Sequence, residues 1–276
     1  MGVEKHGLEG PEEVKNTALK VSLAGLFHDV GKFSQEYLRK DIPSEYRERN
    51  ADLYLRYDRS RNRHTHEHAL YTAYFIERFS DYLPSELNSP DWGEGEREDS
   101  FINLAAKHHR PETPLQWIIT QADCLSSGID RAEFERGEEI GIKEYRTTRL
   151  LPLFERLLRR DKDFEEADHF LWRYPLSPLS PTSIFPVRVE ALSREKAREE
   201  YQNLFEGFTE DLKKLCHKEK IELWAQHFDS LLRIYTSHII VFRQLCPQDK
   251  RPSSIRSSKP LSFRERYFSS RPLSTR

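Results

Sequence analysis

The feature that most restricts this chain is a polar pair, His28-Asp29, set at the end of a strongly apolar helical stretch. Leu19, Leu23, Leu26, Phe27 and Val30 recur at three-and-four spacing behind Pro11, which predicts a helix opening near Pro11 and stopping at Gly31. An imidazole and a carboxylate on the buried face of such a helix cost several kcal/mol if left unpaired. A bound metal or a hydrogen-bond network is therefore the economical reading of the pair.

The same helical period recurs along the chain. A second helix is expected from about Thr65, with His68, Thr72, Phe75 and Phe79 on one face, ending near Pro84. A third covers 101–110 and is closed by Pro111. Thr113-Pro114 reads as an N-cap followed by proline at the first helical position, and the run through Trp117, Ile118 and Ile119 carries that helix to Leu125, where Ser126-Ser127-Gly128 breaks it. The polar stretch 39–63 reads as a surface loop or short helices, and 85–100 as a loop. Two further helices are expected at about 193–216 and 219–235. Nothing reads as a sheet, so the expected fold is all-α.

Four prolines between 174 and 186 mark a boundary or an extended crossing segment. The expected organisation is then a main domain at 1–173, a Pro-rich linker at 174–192, a helical linker segment at 193–236 and a tail at 237–276. Between Pro247 and Arg276 lie eight Ser, six Arg and four Pro, and the apolar residues there follow neither a helical nor a strand period. Such a segment buries too little to offset its ordering entropy, and it is expected to stand outside the packed domain or to serve as a basic arm for single-stranded nucleic acid.

The net charge of −2 hides an asymmetry: residues 247–276 carry +6, leaving the rest at −8. An acidic body argues against binding duplex DNA through a broad basic face, while permitting a local contact with one phosphate. No apolar run approaches the length of a membrane span and the first ten residues lack a signal peptide's apolar stretch, so a cytoplasmic protein without a membrane partner is expected. The three cysteines, Cys124, Cys216 and Cys246, are too far apart for a disulfide framework or a CxxC zinc site, and Cys124 and Cys216 read as packing residues.

The remaining ligand candidates are His68 on the second helix, His108-His109 at the end of the third and Asp123 on the fourth. Imidazoles mixed with carboxylates suit six-coordinate first-row metals such as Mn, Fe, Co or Ni, and the lack of thiolates disfavours structural zinc. One or two such ions would activate water and polarise a phosphoryl oxygen, which makes a hydrolase for phosphate esters. His64 and His66 lack HExxH spacing and point away from His68 unless their segment is extended. Lys32 has two readings, as a catalytic cation for a substrate phosphate or as a complement to a helix C-terminus. Asp130-Arg131 reads as a structural ion pair at a helix start.

The string Leu26-Phe27-His28-Asp29-Val30-Gly31-Lys32 resembles the HD-x-G-K signature of the HD phosphohydrolase superfamily. Its continuation narrows the resemblance: His68-Ala69-Leu70-Tyr71-Thr72, then Ala105-Ala106-Lys107-His108-His109, then Ala122-Asp123 leading to Ser126-Ser127-Gly128 and Arg131. This order is similar to the permuted HD domain at the N-terminus of the large subunit of type III CRISPR-Cas effector complexes, and the Pro-rich stretch resembles that family's link out of the HD domain. The resemblance implies a helical HD-domain bundle acting as a metal-dependent exo- or endodeoxyribonuclease on single-stranded DNA, with other subunits of an RNA-guided antiviral effector as partners. His28, Asp29, His68, Asp123 and one or both of His108 and His109 inherit the metal roles. The family's Gly-Gly-Asp-Asp cyclase motif is absent, and the likeness fades after Tyr235, so the chain looks like an N-terminal fragment, a truncated gene product or a frameshifted one. Two alternatives stand beside this reading: a nucleotide or cyclic-nucleotide phosphohydrolase, and a non-catalytic docking domain.

Overall fold

The computed structural model describes residues 10–88, 99–134, 149–150, 152, 172–188 and 193–239. Among these are eight α-helices: α1 (Pro11–Phe27), α2 (Val30–Leu38), α3 (Ser44–Tyr54), α4 (His68–Arg78), α5 (Phe101–Ala106), α6 (Pro114–Phe134), α7 (Arg194–Lys213) and α8 (Ile221–Thr236). Two short antiparallel ladders accompany them, β1 (Arg56–Asp58) with β2 (Arg63–Thr65), and β3 (Trp172–Arg173) with β4 (Val187–Arg188). The architecture is the expected all-α bundle. The stretch 39–63 supplies α3 and one hairpin strand rather than a plain loop.

The first helix does not reach Gly31. It ends at Phe27, Asp29 takes a bridge-region conformation (φ −105°, ψ 4°), and the chain restarts as α2 with Gly31 and Lys32 in its first turn. Glycine is there for proximity: a Cβ on Gly31 would lie 1.9 Å from the backbone oxygen of His68 and 2.7 Å from the backbone nitrogen of Thr72. α2 thus presses directly on α4. Because Lys32 sits at a helix N-terminus, the helix-dipole reading of it fails; a cation there has the wrong sign.

Other boundaries moved for similar reasons. The second long helix starts at His68, after a turn in which His66 adopts φ 61°, and the third ends at Ala106 before a 3-10 turn over Lys107–His109. Ser126-Ser127-Gly128 does not break α6, which runs on to Phe134. Asp130-Arg131 consequently stands within that helix rather than at a start, and the side chains there lie outside the described residues. Cys216 is exposed and Cys124 half-buried, so neither is a core packing residue; Cys246 lies outside the described residues.

One aromatic core joins the N-terminal helices to α7 and α8. Phe27, the last residue of α1, stacks on Phe228 at 4.3 Å between ring centroids and packs edge-on to Phe101 at 5.3 Å. Phe33 on α2 meets Phe205 and Phe208 of α7 at 5.0 and 5.3 Å. Offset and edge-on aromatic pairs each add stabilisation beyond the area they bury, about 0.5–1.5 kcal/mol. The stretch 193–236, which reads as a linker in sequence, therefore buttresses the helix that ends at Phe27, next to His28.

The Pro-rich segment is a closed excursion: β3 and β4 hold its two ends together, and Leu179 N donates to Ile234 O of α8 at 2.8 Å. Packing also continues past the expected boundary at 237. His238 and Ile239 are buried, and His238 stacks on Tyr174 at 5.7 Å. The rest of the expected tail lies outside the described residues.

Candidate metal centre

His28 and Asp29 occupy the two-residue break between α1 and α2, where helix ends leave carbonyl and amide groups without intrahelical partners. Thr72 of α4 serves both sides of the break. Its hydroxyl donates to His28 O at 2.9 Å and accepts from Gly31 N at 3.0 Å. The His28 ring is oriented by its Nδ1, 2.6 Å from Gly25 O, which turns Nε2 toward the centre of the bundle. On the third side, His108 Nδ1 lies 2.9 Å from Ala105 O and Thr120 Oγ1 donates to His108 O at 2.7 Å, tying the His108-His109 turn to α6. The buried Lys107 pairs with Glu112 across the same turn. Sequence reading did not single out Thr120 or Lys107 as supports, because a threonine inside a helix and a lysine beside two histidines have no spacing signature.

All six predicted ligands come together. They fall into two groups, His28-Asp29-Asp123 and His68-His108-His109, and within each the ligand atoms lie within 4.8 Å of one another. Asp29 connects the groups. Its Oδ2 lies 3.3 Å from His28 Nε2, and its Oδ1 lies 3.6 Å from His68 Nε2 and 3.9 Å from His108 Nε2. Asp123 Oδ1 is 3.6 Å from His28 Nε2, and His68 Nε2 faces His109 Nε2 at 2.8 Å. Lys32 Nζ pairs with Asp29 Oδ2 at 2.6 Å.

Two buried atoms here, His28 Nε2 and Asp29 Oδ1, have no hydrogen-bond partner. Orphaned buried polar atoms are rare in folded proteins and call for a missing partner. Converging imidazole nitrogens and carboxylate oxygens supply the donor set of a divalent first-row ion, so the residues fit one. His66 stands beside this set without joining either group: its ring is 4.1 Å from that of His109, and its Nδ1 lies 2.9 Å from Thr65 Oγ1. His64 points instead to the hairpin, 3.7 Å from Asp52.

Electrostatics tell the same story. Burial disfavours a charged His28, but Asp29 and Asp123 outweigh it and raise its pKa to about 10. Burial pushes Asp29 up, yet His28, Lys32 and His68 hold it well below the usual carboxylate range. Burial, with the neighbouring cations, drives His68 and His109 far down, and takes His108 to about 4. At neutral pH the three rings of the second group are uncharged, whereas the negative charge of Asp29 and Asp123 keeps His28 protonated. We therefore expect uptake of the first Mn²⁺ at about pH 7.5 to release about one proton, and apparent affinity to climb about tenfold per pH unit toward pH 10. Calorimetric titration in buffers of different ionisation enthalpy measures this; binding without proton release would remove His28 from the ligand set.

The all-α bundle gathers imidazoles and carboxylates from the α1–α2 break, α4, the turn after α5 and α6 into a set that could hold a metal ion. Residues 4–128, which contain all six, match the family model described as HD domain, a type of domain that is typically a metal-dependent phosphohydrolase. No curated protein and no solved structure matches the chain. No described helix is long and apolar enough to cross a membrane.

Proposed function

We propose that the protein is a metal-dependent phosphodiesterase that cuts single-stranded DNA, with His28, Asp29, His68, His108, His109 and Asp123 as its metal ligands and Lys32 as an auxiliary cation. The observation that carries the reading is Asp29, one buried carboxylate facing both three-residue groups. Divalent ions held there supply a nucleophile from water at neutral pH and neutralise charge developing on the phosphoryl group. The chain's own residues set the rest. Thr72 fixes the His28-Asp29 break, Thr120 fixes the His108 turn, and Lys32 orients Asp29 through its 2.6 Å contact. The choice of single-stranded DNA, and of partners in a type III CRISPR effector, rests on the resemblance of the ordered motifs from His28 to Arg131.

A second reading, a nucleotide phosphohydrolase, is favoured by a cavity of about 420 Å³ at the centre, a size suited to one small molecule. The test is incubation of the purified chain with Mn²⁺, Co²⁺ or Ni²⁺ and single-stranded DNA, duplex DNA or free nucleotides. Cleavage confined to single strands is expected. Equal cutting of duplex overturns the strand preference, and turnover of nucleotides alone selects the second reading.

A further inference from the structure

The centre is not equally open on all sides. The cavity of about 420 Å³ has His28, Asp29 and Asp123 as its floor, so it reaches the first ligand group; His68, His108 and His109 do not line it. Its walls come from two helices. Val21 and Gly25 of α1 face Ile118, Ile119 and Ala122 of α6, and no Lys or Arg is among the described lining residues.

That composition separates the parts of a phosphate ester. The charged phosphate would find its partners at the floor, on an ion held by His28, Asp29 and Asp123 and on Lys32 beside Asp29, while the aliphatic walls suit an uncharged organic group. The slot is narrow in side-chain bulk where Gly25 and Ala122 line it, and a Cβ built on Gly25 would meet nothing within 4 Å. A flat ring can enter there. Ser22 and Ser126 at the margins add hydroxyls, each able to donate or accept, for the edge of such a ring.

Asp29 joins the slot to the metal centre: it is 6% exposed, lines the cavity and faces both ligand groups. We propose that the slot between α1 and α6 takes the nucleobase of the nucleotide whose phosphate lies at the metal centre. The proposal rests on the phosphodiesterase reading above and deepens it. A base in this slot is unstacked and unpaired, because the walls approach it from both faces. Selection for single strands, or for free nucleotides, then follows from the shape of α1 and α6 rather than from a basic groove.

The test is binding rather than turnover. The Mn²⁺-loaded full chain is titrated calorimetrically with thymidine 5′-monophosphate and with deoxyribose 5-phosphate, which differ only by the base. The nucleotide is expected to bind at least about tenfold tighter, the scale of burying one base. Val21→Phe and Ala122→Leu, filling the slot from opposite walls, are each expected to bring the two ligands within about threefold while leaving Mn²⁺ affinity unchanged. Equal affinity in the unaltered protein overturns the proposal, as does a base preference that survives either substitution. A thymidylate decamer distinguishes the sources: tighter binding than the monomer identifies a strand and equal binding a free nucleotide, both with the base in the slot. If base preference holds and no phosphodiester is hydrolysed, the catalytic reading fails and the slot stands.

Discussion

Asp29→Asn is expected to reduce Mn²⁺ affinity by more than about 100-fold and to abolish metal-dependent hydrolysis, the largest effect of any single substitution. Outer partners of metal ligands already cost about 10–100-fold in affinity or activity, and Asp29 faces both ligand groups directly. The same change removes the counter-charge of two buried cations. Lys32, with its side chain 10% exposed, and His28 both lean on Asp29. Breaking a buried pair by deleting one partner destabilises by about 3–5 kcal/mol, so the single variant will also lose stability. Adding Lys32→Met separates the two effects. The double variant is expected to regain most of the stability in denaturant unfolding and none of the metal by elemental analysis. If it binds Mn²⁺ like the unaltered protein, Asp29 is a structural ion-pair partner and the two groups share no ligand.

Gly31→Ala is expected to be nearly as damaging, without touching a ligand. The added Cβ would stand 1.9 Å from His68 O and 2.7 Å from Thr72 N and Oγ1. Two of these are backbone atoms, so no rotamer change relieves the clash and α2 must move away from α4. Overpacking of a tight interior costs about 1–3 kcal/mol and occasionally more; backbone against Cβ puts this case at about 3 kcal/mol or above. For a domain of this size that lowers the melting temperature by about 6–12 °C. The movement also stretches the Thr72 hydrogen bonds across the His28-Asp29 break and displaces His68, so Mn²⁺ affinity should fall with stability. Gly25→Ala is the control: open space surrounds its Cβ, and replacing a helical glycine is neutral or mildly stabilising. Equal melting temperatures for both variants would show that α2 and α4 are not in rigid contact at Gly31.

What the sequence determined by itself is chemical identity and helical periodicity. The spacing of Leu19, Leu23, Leu26 and Phe27 gave α1, the proline after Thr113 gave the start of α6, and the apolar repeats near 204 and 228 gave α7 and α8 within a few residues. The six ligand candidates were legible because imidazole and carboxylate groups are conspicuous on apolar helix faces. Tertiary structure decided the rest. Local rules placed a helix end at Gly31 and at Ser126-Ser127-Gly128, but helix propensities differ by about 1 kcal/mol per residue and packing overrides them. Gly31 is helical because α4 lies against it, and α6 runs on to Phe134. The division of six ligand candidates into two groups that both face Asp29, the service of Thr72 to both sides of one break, and the packing of α8 on Phe27 and of α7 on Phe33 all join residues far apart in the sequence. No local period encodes such pairings; they are fixed only when the whole apolar surface is buried at once.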